Sequence, residues 1–323
     1  MEQDVLGSEY ESLRLTFEDD AEGEVVATLV RRTAPGRKAV LYVHGFVDYF
    51  FQAHLADFYV ERGYSFYALD LRKYGRSLLP HQTPNFARSM ADYFPEIDEA
   101  VRLIREDNDV LLVNGHSTGG LVTALWADRV RGKGLVDGLF LNSPFLQLNV
   151  PAAVRVLAGP LVRAAARVRP TMVFPAGLSE SYVRSIHRDH DGEWDFDLAW
   201  KPAKGFPVRV GWLSAIIKAQ REAHAGLAVD VPVLVMSSAR STRGRSDGKG
   251  HLTSSDAVLN ADDIARWSTR IGPHVTCVRI DDGLHDLTLS AEPARERLFA
   301  ELDRWMTAHL EVRTPAPRPP GSP

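Results

Sequence analysis

A single cysteine, Cys277, is all that this chain of 323 residues contains. It can form no intramolecular disulfide and no multi-cysteine metal cluster. Long apolar runs are missing too: no stretch approaches the roughly 18–20 uninterrupted apolar residues of a membrane span. Neither sign of charge dominates, with 38 Lys+Arg against 42 Asp+Glu and a formal net charge of -4. This excludes a nucleic-acid binder working through a strongly cationic surface. Hydrophobic residues make up 45% of the chain, which excludes disorder by composition and suffices for one large core or two modest ones. The opening MEQDVLGSEYESLRL is acidic and has no apolar h-region. It reads as lacking a secretory signal, and the cytoplasm is the expected setting.

What is present is an alternation. Short runs rich in Val, Leu and Tyr at 24–31, 38–44, 65–70, 110–114, 136–142, 231–237 and 274–280 read as strands. Longer mixed segments at 51–62, 95–106, 119–130, 260–270 and 291–309 read as helices. Several of the strands are continuously apolar, as expected of strands covered on both faces. The pattern predicts an α/β fold, a mostly parallel central sheet flanked by helices. No internal repeat is visible. Residues 145–230 separate two core strands, are too long for an ordinary crossover, and read as a helical insertion, a lid over one end of the sheet. The expected division is a core of 1–144 and 231–310, the lid of 145–230, and a disordered Pro-rich tail of 311–323. The tail's Pro317-to-Pro320 spacing matches PxxP but reads as solvated chain. Residues 239–255, rich in Gly, Ser and Arg, read as a mobile loop.

The chemistry centres on Gly115-His116-Ser117-Thr118-Gly119, placed after the strand VLLVN and before the helical run LVTALWADRV. That is the context of a nucleophile elbow, a strand-to-helix turn tight enough to lift the serine Oγ clear of the backbone. Side chains two positions either side would collide with neighbouring elements, hence glycine at 115 and 119. The helix N-terminus offers unpaired N–H groups and the positive end of its dipole to an oxyanion. Taken alone, the motif could also be a glycine-rich turn. His44-Gly45-Phe46, following the strand KAVLYV, supplies the second loop such a site needs. The backbone N–H groups of Phe46 and Thr118 are the expected oxyanion donors, with His44 bracing the loop.

With these pieces the sequence resembles the α/β-hydrolase superfamily, within it the monoacylglycerol lipase/lysophospholipase group, also described as serine aminopeptidase S33-like. The resemblance rests on HGF at 44–46, RGYSFYALDLRKYGRS at 62–77, NGHSTGG at 114–120, LNSPF at 141–145 and GLHD at 283–286, and covers roughly residues 25–310. Two departures stand out: Thr118 where methionine is commoner, and Lys73-Tyr74-Gly75-Arg76-Ser77 in place of an Arg-Gly-His-Gly-Arg-Ser-like turn. The resemblance implies that His285, after the last strand, is the base. It places the acid in the loop after strand 231–237, where the candidates are Asp247, Asp256, Asp262 and Asp263. Asp256 opens an Asp-x-Val pattern and is the choice. Asp262 and Asp263 fit the first turn of a helix, and Asp247 sits in the glycine-rich loop. The implied triad is Ser117, Asp256 and His285. The implied function is a serine hydrolase cleaving carboxylic esters of acyl lipids, monoacylglycerol or lysophospholipid in kind, with no cofactor. An amidase, peptidase or thioesterase on the same triad, or a ligand receptor that does not turn over, are the alternatives. The implied partners are a small ester or lipid and, transiently, a lipid surface, with no nucleic acid. Oligomeric state is not legible.

The insertion holds further signals. Residues 151–170 carry four arginines and no acid, and Arg155, Arg163 and Arg167 share a helical face if the helix survives Gly159-Pro160. One reading is a basic amphipathic element for anionic lipid; the preferred one packs the apolar side on the core and leaves the arginines in water. Trp194, Phe196, Trp200, Phe206 and Trp212 either line an acyl pocket or form the insertion's own small core, the latter preferred for any one of them. His187, Asp189, His190 and Asp191 read as a solvated turn in preference to a metal site.

Overall fold

The computed structural model describes residues 2–175, 180–242 and 252–311. The expected disordered tail beyond 311, its PxxP spacing, and most of the expected mobile loop, with Asp247 in it, lie outside the described residues. Nine strands form one sheet: β1 (Glu2–Asp4), β2 (Gly7–Asp20), β3 (Gly23–Arg32), β4 (Lys38–Val43), β5 (Tyr64–Asp70), β6 (Val110–His116), β7 (Gly138–Asn142), β8 (Val233–Ser238) and β9 (Val275–Ile280), in the order β1-β2-β3-β5-β4-β6-β7-β8-β9. From β5 through β9 every neighbouring pair is parallel. β1, β2 and β3 add an antiparallel edge.

Period-two alternation in the central strands feeds two cores. In β4, Ala39, Leu41 and Val43 face one and Val40 and Tyr42 the other; in β8, Val233 and Val235 separate from Leu234 and Met236 in the same way. Helices α2 (Phe94–Asp107), α3 (Thr118–Arg129) and α7 (Ala261–Ser268) contribute to the first core, and α1 (Ala53–Val60) and α8 (Glu292–Met306) to the second. This is the doubly covered sheet that the apolar runs predict.

β1 and β2 were not expected from the sequence. β2 is an edge ribbon: Leu13, Leu15 and Phe17 alternate toward the core while charged residues face water, so its mean hydropathy is low. Ion pairs fasten this edge. Arg76 bridges Asp4 and Asp70 at 2.7 and 2.9 Å, and the buried Lys73 bridges Asp20 and Glu22 at 2.6 and 2.5 Å.

Between β7 and β8 the chain carries α4 (Ala152–Val168), α5 (Glu180–Ile186) and α6 (Val210–Ala225). α4 runs through Gly159-Pro160 without breaking. Its packing corrects the sequence expectation. Only Gly159 and Val162 are buried, while Val156, Leu157, Leu161 and Val168 are 71–79% exposed. The helix thus turns most of its aliphatic side chains outward. α6 does the opposite, burying Trp212, Leu213 and Ile216 in the first core against α3 and α4. No described helix is long and apolar enough to cross a membrane.

Candidate active site

Ser117 occupies the turn between β6 and α3 with φ 51° and ψ -114°, a left-handed conformation that a non-glycine residue adopts only where its surroundings impose it. The glycines explain how the turn closes. A Cβ on Gly115 would lie 2.8 Å from the Gly119 carbonyl oxygen and the Gly120 Cα, and one on Gly119 would enter the Val43 and His44 carbonyls at the end of β4. The elbow therefore exists only because α3 can press onto the sheet at two points without side chains.

Ser117 Oγ lies 2.9 Å from His285 Nε2, and His285 Nδ1 lies 2.9 Å from Asp256 Oδ2. Because a carboxylate can only accept there, Nδ1 carries the proton and Nε2 accepts from the serine. Asp256 is fully buried, and its other oxygen accepts from the Val258 and Leu259 amides at 2.8 and 2.7 Å. Those two bonds fix the carboxylate toward His285. The structure thus brings together Ser117, Asp256 and His285, the three side chains chosen from the sequence. Asp262 and Asp263 lie in the first turn of α7, capped by Asn260, as expected.

The loop after β4 lies against the serine. A Cβ on Gly45 would be 3.2 Å from both the Ser117 Cβ and the His116 ring, so any side chain there would crowd the serine by a few tenths of an ångström. His44 braces it: Nδ1 donates to the Gly45 carbonyl at 2.8 Å and Nε2 accepts from the Leu71 amide at 3.1 Å. Phe46 follows in this loop, and Thr118 is the first residue of α3. The Ser117 amide itself is occupied, donating to the Asn142 carbonyl at 3.0 Å.

A cavity of about 440 Å³ opens onto Ser117 and His285. Its lining is largely apolar and includes Phe46, Phe145, Leu148, Val162, Trp212 and Leu213. Phe46 and Trp212 stack with centroids 4.0 Å apart. Of the five aromatics singled out in the insertion, Trp212 is the one that lines this space. Trp194, Phe196 and Trp200 form a separate cluster with Tyr49, Phe51 and Tyr182. The turn at 187–191 is solvated as expected at Asp189, His190 and Asp191, but His187 is buried, its ring bonding the Phe196 carbonyl at 3.1 Å and the Asp189 amide at 3.1 Å. Among the described residues no His/Cys/Asp/Glu group has the arrangement of a metal site.

Sequence reading passed over Asp286, next to His285. It is fully buried and accepts from Asn142 Nδ2 at 2.7 Å, Gln52 Nε2 at 3.0 Å and the Thr288 hydroxyl at 2.7 Å. Burial pushes its carboxyl up, but nearby His116, Thr288, Lys201 and Gln52 outweigh burial and hold it at about 2, below the usual 3.8. A carboxyl with a depressed folded-state pKa adds stability that is present above the unfolded value and lost as pH falls through the folded one. Asp286→Asn should therefore flatten the acid limb. Between pH 3.8 and about 2 the wild-type protein should lose roughly 2 kcal/mol more than the variant, read from paired urea midpoints. Equal losses would remove Asp286 from this role.

The family described as "Serine aminopeptidase, S33" matches residues 34–288. No curated protein matches the chain. Among solved structures, a soluble variant of the Saccharomyces cerevisiae monoglyceride lipase aligns with TM-score 0.64 at 15% identity, over 93% of this chain and 97% of that one. The Paleococcus ferrophilus monoacylglycerol lipase aligns with TM-score 0.64 at 17% identity, over 93% and 99%. A Bacillus coagulans carboxyl esterase aligns with TM-score 0.62 at 12% identity, over 92% and 98%. At such identities these neighbours speak for the fold, whereas the family match spans most of the sequence and both loops of the elbow. The chain belongs to the serine aminopeptidase S33 family and has the α/β-hydrolase fold.

Proposed function

We propose that the protein is a serine hydrolase that cleaves carboxylic esters with an apolar acyl chain. The observation that carries this reading is the continuous contact Ser117–His285–Asp256 at the floor of a cavity with an apolar wall. In the proposed mechanism His285 Nε2 takes the Ser117 proton as Oγ attacks the ester carbonyl. Asp256 holds the Nδ1–H tautomer and stabilises the imidazolium. The Phe46 and Thr118 amides receive the oxyanion, each contributing about 3–4 kcal/mol to transition-state stabilisation. His285 then protonates the departing alcohol, and water, activated by the same histidine, releases the acid. No cofactor enters the scheme.

An aminopeptidase, the activity in the family's description, needs a carboxylate for the substrate's α-ammonium. Among the described residues lining the cavity the one carboxylate is Asp48, and Lys201 already holds it at 2.5 Å. A second cation would meet an occupied acid and a like charge, so the cavity favours an uncharged ester.

The β7–β8 insertion is proposed to cover the site as a lid, since α4 and α6 supply much of the apolar wall. The outward aliphatic residues of α4, together with Arg163, Arg167 and Arg169 and no acid between Asp137 and Glu180, suit an anionic lipid surface. A joint test uses p-nitrophenyl esters from acetyl to palmitoyl in solution and a long-chain ester in phosphatidylglycerol vesicles. The expected solution profile peaks at medium to long chains. Leu157→Ser/Leu161→Ser should leave turnover of the soluble esters within about twofold and lower turnover on vesicles about a hundredfold or more, the equivalent of about 3 kcal/mol for two exposed leucines no longer reaching lipid. An optimum at acetyl would sink the acyl-lipid reading, and equal vesicle rates would sink the surface contact.

A further inference from the structure

The loop after β4 carries the Phe46 amide, one of the two proposed oxyanion donors, and its own backbone does little to hold it. Among the described residues, residues 46–49 make no backbone–backbone hydrogen bond. Val47 is 2% exposed and sits at φ 51°. A β-branched residue keeps that conformation only where its surroundings impose it. Here the surroundings are side chains. His44 braces the start of the loop, and Asp48 ties its end back to the start: Asp48 Oδ2 accepts from the Gly45 amide at 3.4 Å, a long bond that brackets Phe46 and Val47.

The other oxygen of Asp48 belongs to the insertion. Oδ1 meets Lys201 Nζ at 2.5 Å, and the Phe51 and Phe196 rings lie 5.2 and 5.6 Å from the ammonium. Lys201 ends a turn in which the Trp200 and Lys201 amides donate to the Asp197 carbonyl at 3.1 and 2.9 Å. The same turn touches the loop twice more. The Asp197 amide donates to Tyr49 OH at 2.7 Å, and Trp200 meets the Tyr49 ring edge-on at 5.1 Å. Both partners of the ion pair are buried, so solvent ions screen it little. A buried pair of this kind seldom adds net stability over apolar side chains of similar size. What it does add is one fixed direction for the Asp48 carboxylate.

Resting on the esterase reading, we infer that Lys201 is a positioning residue for the oxyanion loop. It acts through Asp48: the ammonium orients the carboxylate, the carboxylate holds Gly45, and the Phe46 amide that follows keeps the direction an oxyanion on the Ser117 adduct requires. The insertion thereby governs the reactivity of a triad to which it contributes no member. An oxyanion forms in acylation and again in deacylation, so a displaced amide slows both steps by a similar factor. The consequence is a fall in kcat with KM nearly constant.

The test uses the p-nitrophenyl ester of the preferred acyl length, with Ser117 titrated by a fluorophosphonate so that each rate is per active site. Lys201→Met should lower kcat by about tenfold to a hundredfold and change KM by less than about threefold. Because Lys201→Met leaves Asp48 buried and unpaired, the apolar pair Asp48→Leu/Lys201→Met is measured beside it and should lose kcat to a similar degree. Two inhibitors separate positioning from packing. An alkyl trifluoromethyl ketone adds to Ser117, its carbonyl oxygen becoming an oxyanion as the serine proton passes to His285; the matching methyl ketone binds without adding. The first should weaken by the same factor as kcat/KM in both variants, and the second by less than about threefold. Unchanged kcat in the double variant, or equal weakening of the two ketones, overturns the inference and leaves the esterase reading standing. No ester turnover by the wild-type protein takes both down.

Discussion

Ser117→Ala should lower kcat on any ester the wild-type protein turns over by about a millionfold, leaving only the rate that oxyanion binding and proximity can support. The size follows from the role proposed for the group. Oγ is the atom that forms the new bond, and His285 and Asp256 act only through it, so removing it disables all three at once. The same change should scarcely touch stability, staying within about 1 kcal/mol. Alanine keeps the Cβ that already sits at φ 51°, and the backbone bonds of the elbow, Ser117 N–H to Asn142 and Leu121 N–H to the Ser117 carbonyl, do not involve the side chain. Steady-state rates, active-site titration and a melting curve on one preparation check both halves. A variant that kept a hundredth of the activity would place the nucleophile elsewhere and undo the mechanism.

That serine was legible because its signal is local. Glycines at 115 and 119 flank it, and a strand precedes it and a helix follows, all within a short stretch of chain. The central strands were legible for a related reason: strands buried on both faces become continuous apolar runs. His285 and Asp256 are distant in sequence and were reached through the family pattern, after which the geometry brought them into contact. The loop after β4 was legible as HGF, though not how closely its glycine approaches His116 and Ser117 across the fold.

What escaped the sequence shares a different property. β2 hides because an edge strand spends half its residues on water, and its charges mask the period-two apolar face. α4 reads as amphipathic either way, since periodicity identifies an apolar face without saying whether protein or solvent lies against it. Lys201, Asp48 and Tyr182 carry no motif, and Asp286 is legible only as the last residue of GLHD. What they do depends on convergence: Lys201 and Tyr182 of the insertion meet Asp48 and the Asp286 amide, which no local pattern announces. Trp212 and Trp194 show the same limit, being alike in sequence context yet lying on opposite sides of the division between the cavity and a packed cluster.

Gly119→Ala should damage the elbow and the fold together. Its new Cβ would enter two backbone carbonyls, Val43 and His44, at the point where α3 crosses the end of β4. Neither can rotate away as a side chain tip would, because β4 is hydrogen-bonded on both sides, to β5 and to β6. The helix would have to withdraw from the sheet, carrying the Thr118 amide out of position and opening the packing around Leu121 and Val122. The expected cost is about 3 kcal/mol or more, with activity falling further than the loss of folded protein accounts for. Gly159→Ala is the control. It adds the same methyl group within α4, where the nearest atom is a terminal nitrogen of Arg221 at 3.5 Å. There the gain in helix propensity is opposed by the Pro160 ring, which crowds a Cβ on the residue before it, so the change should stay within about 1 kcal/mol of the wild-type protein. Chemical denaturation of the two variants beside the wild-type protein decides the matter. A several-fold larger loss is expected for Gly119→Ala; two losses of similar size would mean that α3 does not rest on the sheet as closely as the elbow requires.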